Sequence, residues 1–329
     1  MIRLPQTYYI IKKYLKHYDE ISMLYNQQCA DNFGKQIQLW NWWEEEKTAY
    51  WLQKFIEQQG LLKGSKKTVA LCSVFGERDI LERVNADVKI FFSGENLHNS
   101  SHAQYADYML SGKKTFDMGV GFDEFDDDIY MRFPLWMIYM FGPFVDEKSI
   151  RERCAQLRYP EVGRREKFAC MIARADISGI RKDMYNAISV ISSVDCPSDL
   201  FHNDETLVTT YKDDKVAYMQ QYQYNICPEN SNARDYITEK VFEAITAGCI
   251  PIYWGSYNEP EPKILNPEAI IFWNKDDEGK KAVEQIKELC ANPKQMEAFM
   301  KQPRLLSGAE EEILRMMTEL HNRLKALLV

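Results

Sequence analysis

The stretch from Tyr222 to Tyr257, YQYNICPENSNARDYITEKVFEAITAGCIPIYWGSY, constrains the fold more than any other part of the chain. Tyr222, Tyr224 and Ile226 alternate with polar neighbours, which predicts a strand. Pro228 to Tyr236 is rich in Asn, Ser and Asp and reads as a loop. Thr238 is placed to cap a helix with Val241, Phe242 and Ile245 on its apolar face, and Gly248 is placed to end it. Cys249 to Trp254 is the short apolar run of a buried parallel strand. The pattern is one βαβ unit. Its polar loop falls at the carboxyl end of a strand, where open α/β sheets bind ligands.

The residue types in that loop define its chemistry. A helix starting near Glu239 aims its free backbone N–H groups and the positive end of its dipole at the loop, which favours a phosphate. Lys240 adds a full positive charge in the first turn, where dipole logic alone disfavours it. Glu239 can accept hydrogen bonds from sugar or ribose hydroxyls. Asn230 donates and accepts, and Tyr236 offers a ring face and a hydroxyl. Neither GxGxxG nor GxxxxGK[ST] occurs, so a nucleotide site here rests on the helix start and side chains, and a generic Rossmann oxidoreductase is disfavoured.

The run ENS–DYITEK–PIYWG resembles the donor-binding signature of the α-1,3/1,4-fucosyltransferases, glycosyltransferase family 10. A weaker likeness extends through Ile180-Arg181, through GVGFDEFDDDIYMRFP (Gly119 to Pro134) and to FFSGEN (Phe91 to Asn96). The resemblance implies a GT-B fold: α/β, with two Rossmann-like domains facing across a cleft. It implies that residues 1–158 bind the acceptor and 159–329 bind GDP-β-L-fucose. The implied reaction is inverting transfer of L-fucose to a hydroxyl of a GlcNAc or glucose unit in a GlcNAc/Gal-containing glycan.

The site residues follow from the same likeness. Glu95 matches the family's proposed general base, which takes the acceptor hydroxyl proton; GDP leaves as a phosphate and needs no general acid. Arg181, at a helix start, matches an arginine that binds the pyrophosphate with its planar fork of donors. Phe122 matches a family aromatic near the donor. Relatives commonly read Ser-Asn before that arginine, where this chain has Ala173-Arg174; Arg174 is expected to compensate with a phosphate or ribose contact. Relatives often carry an aromatic where this chain has Pro228. His98, three residues after Glu95, is placed to help in the acceptor pocket. No cofactor is required and a divalent metal is not essential. Two alternatives stay open: a GT-B transferase using another GDP-sugar, or a non-catalytic glycan-binding protein with the same fold.

Composition bounds these readings. A chain of 329 residues predicts two domains, because single cores stop growing near roughly 250–300 residues. Its net charge of −8 argues against a nucleic acid partner. None of the eight cysteines forms a CxxC pair, and Cys72, Cys170, Cys227 and Cys249 sit in apolar runs as buried reduced thiols of an intracellular protein. The sequence shows neither a transmembrane run nor a signal peptide. The chain thus resembles the soluble bacterial members and is expected in the cytoplasm, with peripheral contact at the inner membrane left open.

Residues 6–18 form a basic amphipathic pattern with Tyr8, Ile11, Tyr14 and Leu15 on one face, read as a docked helix. Trp40, Trp42 and Trp43 read chiefly as core anchors, with sugar stacking as the alternative. Lys67 to Phe75 and Val88 to Phe92 are predicted strands, and Arg151 to Lys167 a linker. Lys167 to Ala173 and Leu207 to Thr210 are further strands, and Ile180 to Val190, Asp276 to Met300 and Gly308 to Val329 helices. Asp123 to Asp128 places five acids in six residues. It lacks the alternating ligand spacing of calcium loops and reads as a solvated turn.

Overall fold

The computed structural model describes residues 6–42, 47–161, 163 and 165–329, residues 6–15 by backbone alone. The face formed by Tyr8, Ile11, Tyr14 and Leu15, together with Trp43 and the acids at 44–46, lies outside the described side chains. The chain divides into two compact units, Met1–Gly121 with Phe125–Arg132 and Leu320–Val329, and Phe122–Glu124 with Phe133–Glu319.

The first unit is built on five parallel strands: β1 (Ile37–Trp40), β2 (Val69–Cys72), β3 (Val88–Phe92), β4 (Met118–Gly121) and β5 (Tyr130–Arg132). They lie in chain order, β1-β2-β3-β4-β5. β2 is buried at every position, as a parallel strand covered on both faces must be. Phe91 on β3 packs against Tyr105, Tyr108 and Phe116, with ring centroids 5.2 to 6.0 Å apart. Tyr105 and Tyr108 lie in a 3₁₀ turn, Ala103–Met109. Trp40 is buried and stacks on Tyr25. Trp42 stacks on Phe92 and donates its indole N–H to the Leu71 carbonyl at 2.8 Å. Both tryptophans act as packing anchors.

The second unit carries β6 (Lys167–Cys170), β7 (Val194–Asp195), β8 (Tyr222–Ile226), β9 (Ile250–Tyr253) and β10 (Ile271–Phe272), in the order β10-β9-β8-β6-β7 and all parallel. From β6 the chain steps outward to β7, then returns to the other side of β6 as β8 and continues to β9 and β10. The direction of winding reverses between β6 and β8, which makes their carboxyl ends a topological switch point, the place where open α/β sheets form a ligand crevice.

The βαβ unit forms as its pattern dictates. The helix Lys240–Thr246 buries Val241, Phe242, Ala244 and Ile245. Gly248 follows with φ +74°, the left-handed geometry that ends helices, and a Cβ there would lie 2.4 Å from the Arg165 guanidinium. Arg165 in turn donates to the Ala247 carbonyl at 2.6 Å, so it takes up part of the helix's unpaired end.

Several elements differ from the sequence reading. The compact units divide at Arg132/Phe133, earlier than 158/159. The segment after Arg132 packs into the second unit, where Trp136 stacks on Phe242 at 4.2 Å and donates to Glu261 at 2.6 Å. Residues 151–158, read as linker, belong to the helix Glu147–Arg158, whose Arg153 donates to Thr246 at 3.2 Å. Leu207 to Thr210 is not a strand but the short helix Thr206–Thr209, its start fixed by Asp204 accepting from the Thr206 N–H at 2.8 Å. The predicted helix 276–300 is two, Lys280–Ala291 and Pro293–Met300. Pro293 cannot continue a helix but starts the next, capped by the Asn292 side chain. The final helix, Ala309–Leu328, buries Ile313, Met316, Met317, Leu320, Leu324 and Leu328. Among the described residues no helix is long and apolar enough to cross a membrane.

Candidate functional site

The loops after β6 and β8 meet at the switch point. Arg181 enters from the loop after β6, in the first turn of the helix Ile180–Ile188. The start of that helix is held by Asp176, whose carboxylate accepts from the Arg181 and Lys182 N–H groups at 3.3 and 2.9 Å. The Arg181 guanidinium donates to the Ala175 carbonyl and, at 2.7 Å, to Asn230 Oδ1 in the loop after β8. Burial pulls its pKa below the ordinary arginine value, with the carboxylates of Asp176 and Glu229 working against that. The guanidinium keeps its charge, since arginine stays protonated throughout the working range.

Lys240 opens the helix Lys240–Thr246, which follows the same loop. Its ammonium donates to Thr238 Oγ1 at 2.8 Å and to Glu229 at 3.3 Å, and lies 3.7 Å from Glu239. Burial acts to lower its pKa, but Glu239 and Glu229 outweigh burial and hold it above the ordinary lysine value. Glu239 shows the complementary balance: burial raises its pKa, and Lys240 and Lys215 bring it below the usual carboxylate range. At neutral pH the pair is therefore ionic.

Glu239, not Thr238, is the N-cap of the helix, and no side-chain hydrogen bond caps it among the described residues. Thr238 spends its hydroxyl on Glu229 at 2.6 Å, and its N–H donates to the same carboxylate at 2.8 Å. Glu229 is the residue that sequence reasoning missed. It is fully buried inside a loop whose composition reads as solvent-facing. An acid three residues past the strand, within the ENS run, is the one available signal.

Tyr236 is buried and packs edge-on against Phe122, with ring centroids 5.1 Å apart and Ala233 completing the cluster. The pair is a packed support for the loop rather than an exposed ring face. Asn230 is exposed, held by Arg181. Arg174 is exposed and makes no hydrogen bond or ion pair with the described residues. Arg181, Asn230, Glu239 and Lys240 are thus brought to one edge of one sheet, and Arg174 stands apart from their bonded network.

In the first unit, Glu95 follows β3 and is half-buried. Its backbone is clamped by Ser93, whose hydroxyl donates to the Glu95 carbonyl at 2.9 Å and accepts from the Glu95 N–H at 3.2 Å. Asn96, buried, accepts from the His98 N–H at 2.8 Å, and His98 itself is exposed. The acidic run is not uniformly solvated. Glu124, Asp126 and Asp128 are exposed, but Asp127 accepts from the Ser111 N–H and hydroxyl at 2.9 and 3.0 Å and from the Ile129 N–H at 3.1 Å. No group of three or more His, Cys, Asp or Glu among the described residues is placed to hold a metal ion.

Comparison with known proteins converges on one family. The profile described as Glycosyltransferase family 10 (fucosyltransferase) C-term matches residues 162–311, and that of the Alpha-(1,3)-fucosyltransferase FucT N-terminal domain matches residues 37–139. The chain belongs to glycosyltransferase family 10. It is 27% identical over 220 residues to the Helicobacter pylori alpha-(1,3)-fucosyltransferase FucT, an alignment covering 59% of this chain and 42% of that protein. It is 32% identical over 108 residues to Drosophila melanogaster alpha-(1,3)-fucosyltransferase B, covering 32% of this chain and 23% of that protein. The chain thus aligns with less than half the length of these curated relatives. Crystal structures of an alpha1,3-fucosyltransferase, alone and with GDP-fucose, superpose with TM-scores of 0.58 and 0.53 at 22% and 21% identity, over 88% of this chain and 89% of those chains. That likeness establishes the GT-B fold class. It matches the two parallel-sheet units of this family 10 chain.

Proposed function

We propose that the chain is an inverting α-1,3-fucosyltransferase that uses GDP-β-L-fucose and fucosylates a GlcNAc or glucose hydroxyl of a glycan. The observation that carries the donor half is the convergence of Arg181, Asn230 and Lys240 at the switch point of the second sheet. Two fixed cations beside an uncapped helix start suit a diphosphate. The names of the relatives reported above, both alpha-(1,3)-fucosyltransferases, support fucose as the sugar.

In the proposed reaction the Glu95 carboxylate takes the acceptor hydroxyl proton. The acceptor oxygen forms a bond to the anomeric carbon as the bond from that carbon to the β-phosphate oxygen breaks. The electron pair leaves with GDP, and the configuration changes from β to α. Arg181 and Lys240 stabilise the charge gathering on the diphosphate. In this reading the second compact unit holds the donor, and the first supplies Glu95 and the acceptor contacts. Parallel saturation with GDP-fucose and GDP-mannose tests the donor; turnover with the mannose donor alone contradicts the assignment.

The same reading makes turnover independent of metal. A metal-dependent transferase uses the ion to neutralise the departing diphosphate, a charge that Lys240 and Arg181 supply here. Excess EDTA is expected to leave most activity intact. Asp126→Asn is expected to be nearly silent. Asp127→Ala lowers the melting temperature through its lost bonds to Ser111 and Ile129 without making activity metal-responsive. Abolition of turnover by EDTA, with recovery in manganese or magnesium, defeats this part of the proposal.

A further inference from the structure

We infer that Glu229 is the positioning residue of the donor site: with Thr238 it fixes the direction in which the Lys240 ammonium is presented to a diphosphate. The inference rests on the donor reading above and adds to it a residue that contacts no substrate.

Glu229 leaves β8 but is tied to β9, its N–H donating to the Trp254 carbonyl at 2.8 Å. Its side chain has no exposed surface. One carboxylate oxygen accepts from the Thr238 N–H at 2.8 Å; the other accepts from the Thr238 hydroxyl at 2.6 Å and from Lys240 at 3.3 Å. The Thr238 hydroxyl donates to Glu229, and its oxygen accepts from Lys240 at 2.8 Å. Two of the three ammonium donors are therefore committed to groups that are themselves anchored, and the direction of the third follows. Lys240 becomes an oriented donor instead of a swivelling charge on a flexible stem.

The neighbourhood is shaped around this carboxylate. A Cβ at Gly255 would lie 2.6 Å from Glu229 Cγ, so the space Glu229 occupies exists because residue 255 has no side chain. The nearby Tyr253 hydroxyl is buried and has no hydrogen-bond partner among the described residues, so it does not draw Glu229 away from Thr238 and Lys240. A buried carboxylate is costly unless paired. Here its two bonded partners, Thr238 and Lys240, flank Glu239 at the helix start.

Calorimetry with GDP on the full chain tests the inference, using Glu229→Gln, Lys240→Met, the double variant, Thr238→Val and Thr238→Ser. Glu229→Gln is expected to weaken GDP about tenfold or more, the scale of a hydrogen bond to a charged group. The double variant is expected to bind within about threefold of Lys240→Met, since residues in one network are not additive. Thr238→Val should weaken GDP and Thr238→Ser restore it, a rescue that a purely structural role for the loop does not require. Parent-like or tighter GDP binding by Glu229→Gln overturns the inference, as do losses that multiply in the double variant. If Lys240→Met binds GDP as the parent does, both the inference and the donor reading fall; if Lys240→Met is weakened and Glu229→Gln is not, the inference alone falls.

Discussion

A Glu95→Gln variant is expected to keep its affinity for GDP-fucose within a few-fold and to lose turnover by about a hundredfold to ten-thousandfold, the span of a lost general base. The amide matches the carboxylate in shape, and the Ser93 clamp acts on the Glu95 backbone, so the loop after β3 is left in place. What disappears is the ability to accept a proton. The separation between binding and turnover is the signature, since donor contacts are assigned to the other unit. Turnover within threefold of the parent removes Glu95 from the role of base.

Arg181→Ala and Lys240→Ala are each expected to weaken GDP by about 1.5–3 kcal/mol, the worth of a charge-assisted contact. The two are not equivalent. Arg181 is partly exposed, and its loss leaves Asn230 free to turn to water. Lys240 holds Glu229, whose side chain is fully buried, so its removal strands a carboxylate and costs stability as well. Melting temperatures without nucleotide separate the two effects: Arg181→Ala should stay near the parent and Lys240→Ala should fall. GDP affinity unchanged in both variants places the diphosphate elsewhere.

The parts of this architecture that the sequence makes legible are those with strong local patterns. β3 matches its predicted span residue for residue, and β8 and β9 come from a clear alternation and an apolar run. Gly248 marks the helix end because few other residues adopt φ +74° there. Five strands escape the sequence reading. β1 (Ile37–Trp40) lies in an aromatic patch, β4 (Met118–Gly121) carries two glycines, which weaken strand signals, and β5, β7 and β10 have two or three residues each, too short to show a period. The break at Pro293 was written in the sequence as Asn-Pro, a helix stop followed by a start, and was overridden by the apolar pattern on either side.

The site divides in the same way. The residue types of Arg181, Asn230, Glu239 and Lys240 announce phosphate and hydroxyl chemistry, and the sheet gathers them at one edge. Glu229 was illegible because burial inside a polar loop is a tertiary fact, set by the Trp254 carbonyl and by the missing side chain at Gly255. Thr238 was misread for the same reason: its helix-capping preference yields to a buried carboxylate that accepts from both its hydroxyl and its N–H.

The central claim is fucosyl transfer with inversion, and one assay addresses it directly. The full chain is incubated with GDP-fucose and N-acetyllactosamine, released GDP is followed, and the product linkage is assigned by NMR. The account predicts GDP release that depends on the acceptor and matches product one to one, with fucose α-linked through position 3 of GlcNAc. A β-linked product, or GDP release that is unaffected by the acceptor and yields only free fucose, contradicts it.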